Sequence, residues 1–89
     1  MLTSHALLQK YWYDARYSFP EIIVCYVDRG ALGDRSCAHG GDIRALEAYY
    51  FEIATGRNTR YIPYHRIRKI TYGGLTIWEH SSGQEKRAE

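Results

Sequence analysis

The sequence predicts an α+β domain in which an N-terminal helix precedes a small antiparallel sheet of four or five short strands. Three features indicate this class: a helical apolar spacing near the N-terminus, several β-prone runs after it, and a Gly-Gly pair between the last two runs. The 89 residues suffice for one domain but not for a Rossmann or barrel enzyme. So few strands on so short a chain can curl into an open SH3-like or Sm-like barrel.

The first two elements follow from the spacing of apolar residues. Thr3 or Ser4 can cap a helix over residues 4–14, in which the apolar side chains on one face are Leu7, Leu8, Tyr11 and Trp12. Residues 21–28 carry apolar side chains on both sides of a predicted strand. We therefore expect a central strand that is covered on both faces, with Cys25 as a small core residue.

Glycine-rich segments and short strands alternate in the middle of the chain. Residues 29–42 contain four glycines and little apolar content, which predicts a loop with a short edge strand near 35–38. Residues 46–53 alternate in polarity and predict a strand. The Thr-Gly-Arg-Asn sequence at 55–58 predicts a turn, and a further strand is expected at 59–62.

A two-residue loop at Gly73-Gly74 predicts a hairpin between the last two strands. The loop length then sets the cross-strand pairs, which are Tyr72/Leu75, Thr71/Thr76, Ile70/Ile77, Lys69/Trp78 and Arg68/Glu79. In this register the Lys69 ammonium lies within cation–π distance of the Trp78 ring. The domain is predicted to span residues 1–80, and the polar residues 81–89 are predicted to form a disordered tail.

The composition is that of an ordinary globular protein, with 45% apolar and 25% charged residues. The longest apolar run, Ile22–Val27, is too short to cross a membrane. The N-terminus lacks the basic start and apolar stretch of a signal peptide. Two cysteines are too few for a disulfide scaffold. We therefore expect a cytoplasmic protein without a membrane partner.

Basic residues gather in the second half of the chain, although the formal net charge is only +2. No Asp or Glu occurs between Glu52 and Glu79, and the basic residues in this interval are Arg57, Arg60, Arg66, Arg68 and Lys69. Such a patch favours a surface that faces a polyanion, because a guanidinium group fits phosphate bidentately. The alternative is a solvated face whose partners lie elsewhere in the fold, as Asp28, Asp34 and Asp42 could provide.

The nine tyrosines divide between two expected roles. Some must be core residues, because a small domain needs large apolar side chains. Others could be platforms on which RNA bases stack. The sequence does not separate the two groups.

His65 stands between Tyr64 and Arg66, just after Pro63. A neighbouring cation disfavours protonation, so a neutral imidazole could hydrogen-bond a phosphate or ribose, or act as an acid or base. The alternative is a structural histidine that closes a turn after Pro63. The sequence contains no pair of His-x-Ser/Thr motifs, no Walker-type phosphate loop and no structural zinc spacing. We therefore expect no catalytic centre, metal or other cofactor.

Two motifs carry a resemblance to a known family. Residues 26–34 contain Asp-Arg-Gly-Ala-Leu-Gly-Asp after a hydrophobic strand, and residues 62–70 read Ile-Pro-Tyr-His-Arg-Ile-Arg-Lys-Ile. The closing hairpin, which ends in Trp-Glu, completes a resemblance that covers residues 4–80. These features resemble a small, mostly archaeal family described as the RNA cyclic-group end-recognition domain.

The resemblance implies recognition of RNA ends rather than catalysis. It places Arg29 and Asp34 in the first family motif, and His65 and Arg66 in the second. The segment 36–41, with its cysteine, histidine and two glycines, departs from the family pattern, so the resemblance implies no role for it.

The residues and the resemblance together predict a non-catalytic site for RNA 3′ ends that carry a phosphate or cyclic phosphate. The groups expected to cradle the terminal phosphate are the side chains of Arg29, His65 and Arg66 and the backbone of Gly30 and Gly33. Those expected to contact neighbouring phosphates are Arg60, Arg68 and Lys69. The aromatic residues expected to stack the last base are Tyr64, Tyr61 or Trp78.

Two functions from other classes remain open at this stage. One is a small RNA phosphoesterase or nuclease that uses His65 as its acid–base group. The other is a protein–protein adaptor in which the aromatic residues form the interface and the arginines form its rim.

Overall fold

One helix and seven strands make up the part of the chain that the structure, a computed structural model, describes, residues 3–80. In chain order these elements are α1 (Ser4–Tyr13), β1 (Ile22–Val27), β2 (Arg35–His39), β3 (Ile43–Leu46), β4 (Tyr50–Thr55), β5 (Asn58–Pro63), β6 (Ile67–Tyr72) and β7 (Leu75–Glu79). The α+β class is confirmed. The expected tail at 81–89 lies outside the described residues, none of whose helices is long and apolar enough to cross a membrane.

The strands form two antiparallel sheets, with orders β2-β1-β6-β7 and β3-β4-β5. The expectation of four or five strands was therefore too low. Over residues 3–80 the two sheets share no strand and close no barrel. A single hydrophobic core connects the helix and both sheets, and its fully buried members are Leu8, Ile22, Val24, Phe51, Ile67 and Ile70.

The helix begins where capping predicts and ends one residue before the expected position. The Thr3 hydroxyl accepts a hydrogen bond from the Ala6 amide at 3.0 Å, which satisfies one of the unpaired amides of the first turn. Leu7 and Leu8 are buried, while Tyr11 and Trp12 pack against the edge of the core. The apolar face inferred from the spacing is thus the face that packs.

The predicted strand at 46–53 is wrong, because a turn interrupts it. β3 ends at Leu46, the Glu47 amide donates to the Tyr50 carbonyl at 2.9 Å, and β4 begins at Tyr50. Alternating polarity continues through the turn, so periodicity did not reveal the reversal. The predicted turn at 55–58 is confirmed between β4 and β5.

The β6–β7 hairpin turns at Gly73 and Gly74, whose φ angles are +57° and +90°. Two positive φ angles are what a type I′ loop requires. Tyr72 pairs with Leu75 as predicted, but a bulge beyond Thr71/Thr76 changes the pairs to Ile70/Trp78 and Lys69/Glu79. Trp78 therefore shares the face of buried Ile70, away from Lys69, and the expected cation–π pair does not form.

β1 is central, as expected, with β2 on one side and β6 on the other. Its inward residues, Ile22, Val24 and Tyr26, are buried, but the alternating residues are only half-buried. Cys25, expected as a simple core residue, forms a disulfide with Cys37 on the paired strand β2. The two sulfur atoms link the strands on the face of the sheet that points away from the core.

Candidate functional site

The two sequence motifs meet at one end of the four-stranded sheet. Tyr26, near the end of β1, pairs with Ser36 of β2 and with Ile67 of β6. The loop that follows β1 and the turn that precedes β6, Tyr64–Arg66, are consequently neighbours at this end. We define the loop site as residues 28–34 together with Ser36, Arg60, His65 and Arg66.

The loop that joins β1 and β2 contains two overlapping turns. The Ala31 amide donates to the Asp28 carbonyl at 3.1 Å, and the Asp34 amide donates to the Ala31 carbonyl at 2.8 Å. Gly30 and Gly33 occupy the third position of these turns with φ angles of +96° and +70°. Glycine adopts such angles without the steric cost that a Cβ atom would bring.

Several loop amides have no acceptor within residues 3–80. The Gly30 amide donates to Asp34 Oδ1 at 3.3 Å, whereas the amides of Arg29, Leu32 and Gly33 make no hydrogen bond there. Backbone amides exposed in consecutive turns form anion-binding concavities. The loop therefore offers donors to an anion in addition to its arginine.

Asp28 forms a bidentate ion pair with Arg60, which reaches it from β5 of the other sheet. Arg60 Nη1 lies 3.2 Å from Asp28 Oδ2, and Nη2 lies 3.3 Å from Oδ1. The Ser36 hydroxyl donates to Asp28 Oδ2 at 2.6 Å. The hydrogen bonds from Arg60 and then Ser36 lower the pKa of Asp28. Asp28 thus provides a carboxylate partner for one of the cations, which was the alternative interpretation of the basic patch.

Arg66 supplies a second positive charge, which also lowers the pKa of Asp28. No carboxylate of residues 3–80 forms a salt bridge with Arg66 or with Arg29, which is exposed on the loop. His65 is likewise exposed on the turn before β6. The loop site therefore has one neutralised arginine and two that remain available to an anion.

Arg68 supports the turn that carries His65. It occupies the bulged position of β6, where its Nη1 donates to the carbonyls of His65 at 3.1 Å and Ile67 at 3.3 Å. Lys69 lies on the outer face of the sheet, between Cys25 and Glu79 in the pairing. Arg68 and Lys69 were both expected to contact neighbouring phosphates. In the structure, the Arg68 side chain is bound to backbone carbonyls, whereas Lys69 lies on the outer face of the sheet.

Tyr64 is a core residue, which removes it from the expected base-stacking platforms. Its relative exposure is 9%, its ring stacks on His5 with centroids 4.0 Å apart, and its hydroxyl donates to the Glu47 carbonyl at 2.7 Å. Burial, assisted by the charge of Glu47, raises the pKa of Tyr64 to about 12. A base cannot reach a ring that is packed in this way.

The other two aromatic candidates are placed differently. Tyr61 is exposed, but it follows Arg60 in a strand and so points to the opposite face of its sheet. Trp78 is half-buried, packs against the core, and lies 6.2 Å from His80 between ring centroids. Trp78 lies near the end of β7, which pairs with the beginning of β6.

The sequence patterns did not indicate Ser36 or Tyr26 as parts of this region, and they suggested Asp28 only as a possible partner of the cations. Tyr26 is buried, and burial raises its pKa while the charge of Arg60 opposes that rise. The first family motif does not specify the residue at the position of Asp28, and only the strand register and the hydrogen bond show that Ser36 adjoins this carboxylate. Within residues 3–80, no group of three or more His, Cys, Asp or Glu side chains could hold a metal ion.

Within residues 3–80, this small α+β domain thus has arginines without a carboxylate partner and loop amides without an acceptor at one end of a sheet, which are groups that could donate to an anion. The sequence matches the family model of the MJ1316 RNA cyclic group end recognition domain over residues 1–80, and the chain belongs to this family. The resemblance found in the two motifs is thereby confirmed.

A relative with a curated record is a UPF0248 protein of the archaeon Pyrobaculum calidifontis. It is 42% identical over 45 residues, which cover 51% of this chain and 58% of the relative. The match thus spans less than two thirds of that protein. No solved structure matches the chain.

Proposed function

We propose that this protein binds RNA 3′ ends that carry a phosphate or a 2′,3′-cyclic phosphate, and that the loop site holds the terminal phosphate without cleaving the strand. The family description, which names recognition of an RNA cyclic group end, supports the ligand class. The observation that carries the location is the pairing of Tyr26 with Ile67, because it brings the loop after β1 and the turn before β6 to the same end of the sheet.

Each group has a role that suits a phosphate. Arg29 and Arg66 donate charge-assisted hydrogen bonds to its oxygens, and the amides of Leu32 and Gly33 add neutral donors. His65, exposed beside Arg66, donates a further hydrogen bond from its ring. Arg60 has a different role from the one expected, since Asp28 already occupies its guanidinium group.

Contacts beyond the terminal phosphate are proposed for Lys69, Trp78 and, more weakly, Arg68. Lys69 can reach a neighbouring backbone phosphate from the outer sheet face. Trp78, at the strand end nearest the site, can stack the last base with its exposed part. Arg68 contributes mainly through the His65 carbonyl that it binds.

The test compares one oligoribonucleotide sequence with three 3′ ends: a 2′,3′-cyclic phosphate, a 3′-phosphate and a hydroxyl. Arg29→Ala and His65→Ala should each weaken binding of the two phosphate ends about ten- to a hundredfold and leave the hydroxyl end little changed. Arg44→Ala is the matched control, because Arg44 is exposed on β3 in the other sheet. It should not alter discrimination between the ends.

Equal losses for phosphate and hydroxyl ends would refute end recognition. If His65 only closes its turn, His65→Ala will lower the melting temperature while the preference between ends persists. Analysis of the RNA after incubation separates binding from cleavage, because the proposed binder returns each oligonucleotide unchanged.

A further inference from the structure

A carboxylate beside the proposed phosphate site requires a chemical reason. Asp28 repels phosphate, yet it is paired with Arg60 at this end of the sheet. Arg60 neutralises the charge of Asp28, but a surface that lacked both residues would be equally neutral. A carboxylate accepts hydrogen bonds and never donates them when ionised, so any ligand group that contacts it must be a donor.

The acceptor capacity of Asp28 is only partly used. Oδ2 accepts from Ser36 Oγ at 2.6 Å and from Arg60 Nη1 at 3.2 Å, whereas Oδ1 accepts only from Arg60 Nη2 at 3.3 Å within residues 3–80. A carboxylate oxygen has about two acceptor positions. The Asp28 side chain also retains 16% of its surface exposed. One position on Oδ1 is therefore left for a donor from outside the protein.

Ribose is the part of RNA that supplies such a donor close to a bound phosphate. The 2′-hydroxyl both donates and accepts, and it is the group by which proteins distinguish RNA from DNA. Base amino groups also donate, but they lie across the sugar from the phosphates that Arg29 and Arg66 would hold. In a 2′,3′-cyclic phosphate the terminal 2′-oxygen is esterified and carries no proton, so the nearest ribose donor belongs to the preceding nucleotide.

We infer that Asp28 Oδ1 accepts a hydrogen bond from the 2′-hydroxyl of the nucleotide that precedes the phosphate-bearing end. Asp28 is then a specificity residue that reads ribose, and Arg60 and Ser36 hold its carboxylate in position. This inference rests on the proposed function, because the terminal phosphate sets the position of the strand.

The experiment uses two oligoribonucleotides of the same sequence, both ending in a 2′,3′-cyclic phosphate, one with a single 2′-deoxy nucleotide at the preceding position. The unmodified protein should bind the all-ribose strand about ten- to a hundredfold more tightly. Asp28→Ala should bind the two strands equally. Asp28→Asn keeps the shape of the side chain and serves as the second variant if Asp28→Ala is too unstable. It should reduce the ratio of the two affinities at least severalfold.

Asp42→Ala is the matched control, since it removes an exposed carboxylate that lies outside the loop site. It should keep most of the ratio. Because the ratio is taken within each variant, a general loss of affinity cancels. A ratio near one for the unmodified protein, an unchanged ratio in the soluble Asp28 variants, or no binding of either strand would each overturn the inference.

The same all-ribose strand with a hydroxyl end tests the proposed function separately. A ribose preference without an end preference would leave Asp28 as a residue that recognises ribose at a site that does not distinguish the ends.

Discussion

At the scale of single residues, two tyrosines of similar sequence setting have opposite roles. Tyr61 and Tyr64 lie three positions apart, on either side of Pro63, and both could have been platforms for a base. The first is exposed, whereas the second stacks on His5 and donates to the Glu47 carbonyl. The difference arises from the turn after β5, which directs the second ring into the core.

We expect Tyr64→Phe to destabilise the domain by about 0.5–1.5 kcal/mol at neutral pH, because the Glu47 carbonyl loses its partner while the ring keeps its packing. Folding raises the pKa of Tyr64 from 10.0 to about 12. The neutral hydroxyl therefore stabilises the folded state below pH 10, and this contribution is lost as the pH rises towards 12.

Urea unfolding at neutral pH and at about pH 11 measures both effects. The difference in free energy of unfolding between the unmodified protein and Tyr64→Phe should be smaller at the higher pH. Tyr61→Phe, at an exposed position, is the control and should show almost no change at either pH. If this difference in free energy increases with pH, the account of Tyr64 is contradicted.

At the scale of elements, the segment between β2 and β3 is held by a close approach of two backbones. A Cβ atom placed on Gly40 would clash with the Phe19 carbonyl oxygen, whereas one on Gly41 meets nothing within 4 Å. Neither glycine has a positive φ angle. Substitutions at these two adjacent glycines therefore test the effect of the steric contact alone, because neither position requires the backbone conformation that favours glycine.

Gly40→Ala should destabilise the domain by about 1–3 kcal/mol or more, because the clash is with backbone that cannot rotate away. Gly41→Ala should change stability little, or raise it by about 0.4–1 kcal/mol by restricting the unfolded chain. Thermal unfolding of the two variants side by side gives the answer. Equal effects would show that the Phe19 contact is not a constraint on the fold.

The Cys25–Cys37 disulfide closes the hairpin that presents the loop site. The two residues are 12 positions apart, and chain-entropy arguments for a loop of this size give a stabilisation of about 2–4 kcal/mol. The Cys25→Ser/Cys37→Ser double variant should lose about this much in denaturant unfolding, and a thiol reductant should produce the same loss in the unmodified protein. If reductant leaves its midpoint unchanged, the disulfide does not support the hairpin.

At the scale of the whole molecule, the net charge is only +2, so the proposed binding of RNA depends on where the charges lie. Arg16 is paired with Asp14 and Arg60 with Asp28, while Arg29 and Arg66 have no carboxylate partner within residues 3–80. Arg29 and Arg66 are far apart in the sequence, and the β1–β6 pairing brings the loop and the turn that carry them to one end of the sheet.

The logarithm of RNA affinity should fall linearly with the logarithm of salt concentration. Arg29→Ala and Arg66→Ala should each reduce the slope by about 0.7, the value for one phosphate contact on a single strand. Arg16→Ala removes an equal charge that Asp14 already neutralises, and it should leave the slope unchanged. Binding that does not depend on salt would refute the phosphate contacts and favour a protein–protein adaptor.

Patterns within the sequence were sufficient to predict the α+β class, the N-terminal helix, the central strand and the Gly73-Gly74 loop. Helix capping, apolar periodicity and turn chemistry act between residues that are close in the chain, so a local pattern reports them. The two motifs also indicated the family. The turn at 47–49 and the bulge between the Ile70 and Thr71 pairs were not predicted, because neither interrupts the alternation of polar and apolar residues.

Tertiary structure alone decided which residues of those motifs serve which purpose. Asp28 meets Arg60 across the two sheets, Ser36 reaches the same carboxylate, and Tyr64 turns into the core. Such relations depend on strand order, register and the packing of one sheet on another. They join residues that are far apart in the sequence, and so no local pattern could distinguish the arginine that a carboxylate neutralises from those without a carboxylate partner.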